Sequence, residues 1–259
     1  MKLTILTDNN AKIDSYLLAE PALSFYIQLE ERKILFDCGY SDVFMQNAYK
    51  LGINLRDLDN IVLSHGHNDH TGGLYHLKKL FQDSHDLGVG FKIPKIIAHK
   101  NVFEPMFDAD IGDIGCPVSK EQLRNLFHLE LSQAPLWLDS KTVFLGEIPK
   151  SPTGCVKDSA LVHKSSKGLI VVVGCSHSGL KNIIEFSKIV TGEDKICAII
   201  GGFHLLSVDK TSLHDLINYL KTQNIETLYP THCCDLNAKI ALSKELNLKE
   251  VFCGSIIDI

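Results

Sequence analysis

The segment Ile61-Val62-Leu63-Ser64-His65-Gly66-His67-Asn68-Asp69-His70-Thr71-Gly72-Gly73 sets three imidazoles and a carboxylate within six positions, directly behind an apolar run. Such a run reads as a buried strand, and the glycine-containing turn after it puts the polar residues at the strand's C-terminal mouth, outside the core. His65 and His67 project to the same side by the two-residue period of extended chain, and Asp69 and His70 follow at the start of the next helix. A lone His in a turn is usually a solvated side chain. An ordered HxHxDH array followed by Thr-Gly-Gly is a metal-site signal, with two ligand pairs able to hold one or two divalent metal ions. Imidazole with carboxylate favours zinc, with iron or manganese next and magnesium as a weaker alternative, since magnesium prefers all-oxygen donors.

The rest of the chain is compatible with one domain over residues 1–259. Its 259 residues, 45% hydrophobic, can bury a sizeable core, and no linker, low-complexity tract or like-charge block divides them. Gln82 to Gly90 and Phe107 to Lys120 read as loops, which inside a domain more often cover a site than link two bodies. A net charge of −5 and a pI near 6.2 lack the electrostatic footprint of a general nucleic-acid binder. The N-terminal segment shows no secretory h-region, and no stretch is long enough to span a bilayer. The expected setting is the cytoplasm, and the expected partner is a small-molecule substrate rather than nucleic acid or membrane; oligomeric state stays open. The eight cysteines (Cys38, Cys116, Cys155, Cys175, Cys197, Cys233, Cys234, Cys253) contain no CxxC pair and read as mostly buried, reduced thiols. Cys175 and Cys233 stand out because each lies within two residues of a candidate ligand.

Periodicity predicts strands at Leu3–Leu6, Leu23–Leu29 and Lys33–Phe36, the last two joined through Glu30-Glu31-Arg32, then a helix over Ser41–Leu51 and the Ile61 strand. Leu74, Leu77, Leu80 and Phe81 mark a helix, and Ile93–Ala98 a strand that ends at His99. Further strands are expected at Trp137–Leu145, Ala160–His163 and Leu169–Val173, with Ser165-Ser166-Lys167-Gly168 as a hairpin turn. Helices at Leu180–Val190, Leu213–Leu220 and Ala238–Leu246 alternate with strands at Ile196–Ile200, Thr227–Tyr229 and Val251–Ile257. Two packed mixed sheets with helices outside fit this order best.

A metal site needs donors beyond one loop, and three more histidines follow apolar strands: His177 in Gly174-Cys175-Ser176-His177-Ser178-Gly179, His204 in Gly201-Gly202-Phe203-His204, and His232 in Pro230-Thr231-His232-Cys233. Singly, each is as readily a structural His. In this order behind HxHxDH, the set resembles the metallo-β-lactamase superfamily along essentially the whole chain. The resemblance implies an α+β fold, an αββα sandwich of two mixed β-sheets with helices on the outer faces. It further implies that His65, His67 and His177 hold one metal, that Asp69, His70 and His232 contribute to a second, and that Asp37 orients a ligand. Most members carry a bridging Asp after the penultimate strand. This chain has Gly202 there, and His204, two residues on, is a candidate to replace it as a ligand or to act as general acid or base.

Asp8-Asn9-Asn10, Leu23-Ser24-Phe25-Tyr26-Ile27 and the motifs around His177, His204 and His232 look like one subgroup. It is similar to the archaeal methanopterin-synthesis enzymes that join a dihydropterin methyl diphosphate to ribofuranosylaminobenzene phosphate, and to bacterial relatives. Glu20-Pro21-Ala22 departs from the Glu-His-Gly type stretch of that pattern. The resemblance implies a metal-dependent transferase in which diphosphate leaves and His204 or His99 handles a proton. A metal-dependent hydrolase of a phosphodiester, thioester or lactone is the alternative, and a non-catalytic metal-binding module the third reading. A second organic pocket near Asn9-Asn10, His99 and Phe103 would mark the transferase. His76, His85, His128 and His214 read as solvated, on helices or in loops; His163 reads as a hairpin-strand residue, and Asp158 as a turn residue.

Overall fold

Lys2–Thr7, with five consecutive buried residues, forms strand β1 in the computed structural model, which describes residues 1–149 and 156–259. By contacts the chain divides into two compact units, Met1–Ser132 with Phe252–Ile259, and Gln133–Val251.

In the first unit β1 is followed by β2 (Ser24–Gln28), β3 (Lys33–Phe36), α1 (Val43–Lys50), β4 (Asn60–Leu63), α2 (Asn68–Thr71), α3 (Leu74–Asp86) and β5 (Lys95–Ala98). A two-strand ribbon, β6 (Phe107–Asp108) and β7 (Gly112–Asp113), a short α4 (Lys120–Arg124) and β8 (His128–Leu131) complete it. The sheet runs from the C-terminal strand Ile256–Asp258 through β1, β2, β3, β4 and β5 to β8. Pairing is antiparallel up to β3 and parallel from β3 to β8. The C-terminal ends of β3, β4 and β5 therefore open on one edge, where loops gather functional side chains. Amphipathic helices cover one face: Phe44 and Ala48 of α1 and Leu74, Leu77 and Phe81 of α3 cluster with Leu35, Ile61, Leu63, Ile96 and Ala98. Each such buried large side chain contributes about 1.5–3 kcal/mol.

The second unit repeats this logic with β9 (Leu136–Trp137), β10 (Thr142–Phe144), β11 (Ala160–Ser165), β12 (Gly168–Val173), α5 (Leu180–Thr191), β13 (Ile196–Gly202), α6 (Lys210–Thr222), β14 (Thr227–Thr231) and α7 (Leu236–Glu245). Its sheet order is β14-β13-β12-β11-β10-β9. The strands from β9 to β12 pair antiparallel, and β12, β13 and β14 run parallel, so three C-terminal ends again share an edge. Leu180, Ile183 and Ile184 of α5, Ile217 and Leu220 of α6 and Leu242 of α7 pack on Val162, Val171, Val173 and Ile199.

The two mixed sheets and their helices match the expected fold class, with local differences. Trp137–Leu145 is a hairpin rather than one strand, because Asp139 Oδ1 accepts from the backbone N–H groups of Lys141 and Thr142 and turns the chain. Helix α3 continues to Asp86, taking in the first part of the expected Gln82–Gly90 loop. Ser84 faces inward there, and the Gln82 amide donates to Asp86 four residues on. The Phe107–Lys120 stretch contains the β6–β7 ribbon and the start of α4, and its Ile114 carbonyl accepts from Asn68 N–H, against the ligand loop. His128 lies exposed on the edge strand β8, since His-Leu-Glu-Leu pairs with β5. The closing strand shortens to Ile256–Asp258. The seven described cysteines are free thiols, all buried except Cys116, and Cys155 lies outside the described residues.

Candidate metal centre

In the first unit Asp37 follows β3, Ser64 and His65 follow β4, and His67 caps α2, which carries Asp69 and His70. Gly66 allows this turn: a Cβ there would meet the Val102 carbonyl oxygen at 2.6 Å. Gly72 and Gly73 have helical φ, so contact rather than conformation requires them. Added Cβ atoms would lie 2.2 Å from the Tyr40 carbonyl oxygen and 2.0 Å from that of Cys38.

Asp37, fully buried at φ 56°, determines the tautomers of the loop. Its Oδ1 accepts from Ser64 N–H at 2.7 Å, and its Oδ2 accepts from Ser64 Oγ–H and from His70 Nδ1, each at 2.7 Å. An ionised carboxylate only accepts, so Nδ1 of His70 carries the proton and Nε2 its lone pair. Ser64 Oγ, having spent its proton on Asp37, accepts in turn from His65 Nδ1 at 2.9 Å, and His65 Nε2 likewise carries a lone pair. That Nε2 lies 3.1 Å from His67 Nδ1, and donor atoms of His65, His67 and Asp69 all fall within 4.8 Å of one another. His70 Nε2 is 3.7 Å from Asp69 Oδ2. Two imidazoles held by one carboxylate, with unprotonated nitrogens beside a second carboxylate, are the donor chemistry that a divalent transition metal requires. His99, also buried, ends β5, where its Nδ1 accepts from Asn101 N–H at 3.3 Å.

In the second unit Cys175 and His177 follow β12, His204 follows β13 and His232 follows β14. Asp158 is more than a turn residue: both its oxygens accept from Ser178 N–H at 3.2 Å, and Oδ1 also takes the Ser178 hydroxyl. Burial pushes its carboxyl above the usual range, and these bonds oppose the shift. Ser176, at φ 57°, donates from Oγ to the Gly202 carbonyl at 2.7 Å, so the turn carrying His177 is tied at both ends. The His177 and His204 rings lie 4.5 Å apart, and the Cys175 thiol is within 4.8 Å of a ring nitrogen of His177 and of one of His232. Cys233 Sγ accepts from His204 N–H at 3.3 Å. Its contact with Cys175 draws the Cys233 thiol below the usual range against burial, and a separate hydrogen bond between its sulfur and the His204 side chain holds that imidazole protonated to higher pH.

Each unit thus gathers its own share of the expected residues: His65, His67, Asp69 and His70 in the first, and His177, His204 and His232 in the second. Ser64, Ser178, the support that Asp158 gives and the placement of Cys175 were not read from the sequence. Ser64 and Ser178 adjoin ligand positions, and that adjacency is their only local signal.

Residues 18–232 match the metallo-beta-lactamase superfamily. An uncharacterized protein of Methanocaldococcus jannaschii is 32% identical, over 98% of this chain and 99% of its own. The 7,8-dihydropterin-6-methyl-4-(β-D-ribofuranosyl)-aminobenzene-5'-phosphate synthase of the same organism is 30% identical, over 99% and 96% respectively. A crystal structure described as a metal-dependent hydrolase of the beta-lactamase superfamily shares the fold with a TM-score of 0.82 at 24% identity, covering 100% of this chain and 99% of that one. No helix among the described residues is long and apolar enough to cross a membrane. With the fold, the strand-end donor sets and these likenesses in agreement, the chain belongs to the metallo-β-lactamase superfamily.

Proposed function

We propose that the protein is a metal-dependent transferase that joins a dihydropterin methyl diphosphate to ribofuranosylaminobenzene phosphate, in the cytoplasm. The observation that carries this reading is the likeness to the Methanocaldococcus synthase along nearly the full length of both chains. The ligand assignment follows the motif order of the superfamily: His65, His67 and His177 for one divalent ion, Asp69, His70 and His232 for a second. Bound there, zinc or a similar ion would supply Lewis acidity toward a departing diphosphate.

The chain's own residues supply the rest. Asp37 fixes the orientation of His65 and His70, and Asp158 that of the His177 turn, so the donors need little reorganisation on binding. His204, exposed and held toward its protonated form, is suited to give a proton to the leaving group. His99, the second candidate for moving a proton, is buried, and its Nδ1 accepts from the Asn101 backbone N–H.

The test is a mass-spectrometric search for the joined product after incubating the metal-loaded protein with the two substrates. Product establishes a transferase. Intact substrates with metal bound reject it, and diphosphate release without joining moves the assignment to hydrolysis. His204→Ala is expected to lower kcat at least about 100-fold, the scale of general acid catalysis; unchanged turnover removes His204 from the reaction.

A further inference from the structure

Three parallel strand ends in the second unit carry the residues at issue, and the middle one is closed to side chains. A Cβ at Gly202 would lie 2.5 Å from the Gly174 carbonyl oxygen and 2.6 Å from Cys233 Sγ. Gly202 N–H donates to that same carbonyl at 2.8 Å, so the backbone behind it cannot withdraw without losing a bond. Residue 202 can therefore present no carboxylate here.

The two flanking strand ends behave differently. His177 follows β12 and His232 follows β14, and one thiol, that of Cys175, lies within 4.8 Å of a ring nitrogen of each. Cys175 is 4% exposed, on a turn held by the Ser176–Gly202 bond and by Asp158 through Ser178. The neighbouring thiol, Cys233, touches Cys175 itself. Cys233 Sγ accepts from the His204 backbone N–H and lies 3.6 Å from the Cys175 carbonyl oxygen, filling the space behind Gly202.

We propose that Cys175 is itself a metal ligand, its thiolate adding a sulfur donor beside the imidazole of His177 in one assigned set and that of His232 in the other. The inference rests on the metal-binding reading above. On binding, the S–H bond breaks, its proton leaves to solvent and the sulfur electron pair forms the bond to the metal. A soft sulfur donor among imidazoles selects zinc or ferrous iron over magnesium and manganese.

Cobalt(II) substitution of the whole protein tests this. The expected result is a near-ultraviolet sulfur-to-cobalt charge-transfer band in the wild type, lost in Cys175→Ser with at least about a 10-fold fall in cobalt affinity, and kept in Cys233→Ser. X-ray absorption of the zinc-loaded wild type needs no variant: a sulfur neighbour at about 2.3 Å supports the proposal, and nitrogen and oxygen neighbours alone, at about 2.0–2.2 Å, overturn it. Cobalt bound without the band overturns the role of Cys175 and leaves the metal reading standing. Failure to bind cobalt or zinc at all overturns both. A band that survives in Cys175→Ser and vanishes in Cys233→Ser overturns the assignment in favour of the neighbouring thiol.

Discussion

In the first unit one loop, His65 to His70, carries four candidate ligands, and a single carboxylate, Asp37, sets two of their tautomers through Ser64 and His70. In the second unit three strand ends each supply their own residues. Its turns hold Ser176, His204 and His232 at φ of 57°, 55° and 49°, a left-handed conformation that costs non-glycine residues of order 1–3 kcal/mol each. The first arrangement concentrates its support in one buried group; the second distributes it over Asp158, the Gly202 carbonyl and Cys233. Damage to the first is therefore expected to disturb several donors together, and damage to the second to disturb one turn.

Asp37→Ala is the sharpest way to break this contrast. It leaves Ser64 N–H, Ser64 Oγ and His70 Nδ1 without their buried acceptor, for a loss of about 3–5 kcal/mol in denaturant unfolding of the metal-free protein. Metal affinity, read by titration, should fall about 10–100-fold. A loss below about 1 kcal/mol would show that Asp37 does not hold the loop.

Gly73→Ala ranks next. Its methyl group would lie 2.0 Å from the Cys38 carbonyl, and overpacking against backbone costs up to about 3 kcal/mol. Unfolding of Gly88→Ala, where nothing lies within 4 Å, serves as the control for substitution as such, though its φ of 67° carries a strain of its own.

Asp158→Ala should cost about 2 kcal/mol, since two Ser178 donors lose one acceptor, and should weaken metal binding about 10-fold. If it proved as damaging as Asp37→Ala, the second unit would depend on one support as much as the first does.

The smallest effect lies away from both donor sets. The hydrogen bond from Lys33, with a second from Lys92, holds the partly exposed Asp57 carboxyl below its ordinary value of 3.8. A depressed folded-state pKa adds stability above the unfolded value and loses it as pH falls through the folded one. The Tm difference between wild type and Asp57→Asn is therefore expected to be small at neutral pH and to vanish in acid; a difference that grew on acidification would contradict it.

The chain's local order determined a great deal. HxHxDH with Thr-Gly-Gly is legible because its donors are neighbours in sequence, and the alternation of apolar runs placed the longer strands and helices but not β6, β7, α4 or β8. Amphipathic periodicity is a short-range property, so it survives without knowledge of the fold. What tertiary structure alone decided are pairings across long separations. Asp37 meets Ser64 and His70, 27 and 33 residues on, and Asp158 meets Ser178, 20 residues on. The Trp137–Leu145 hairpin turned on one side-chain bond that hydrophobicity does not register. The glycines of the ligand loop are required by the carbonyls of Val102, Tyr40 and Cys38, and Gly202 by that of Gly174 together with Cys233. These are contacts between backbones and buried polar groups, and their energies depend on which strands become neighbours, a fact that no local window of sequence contains.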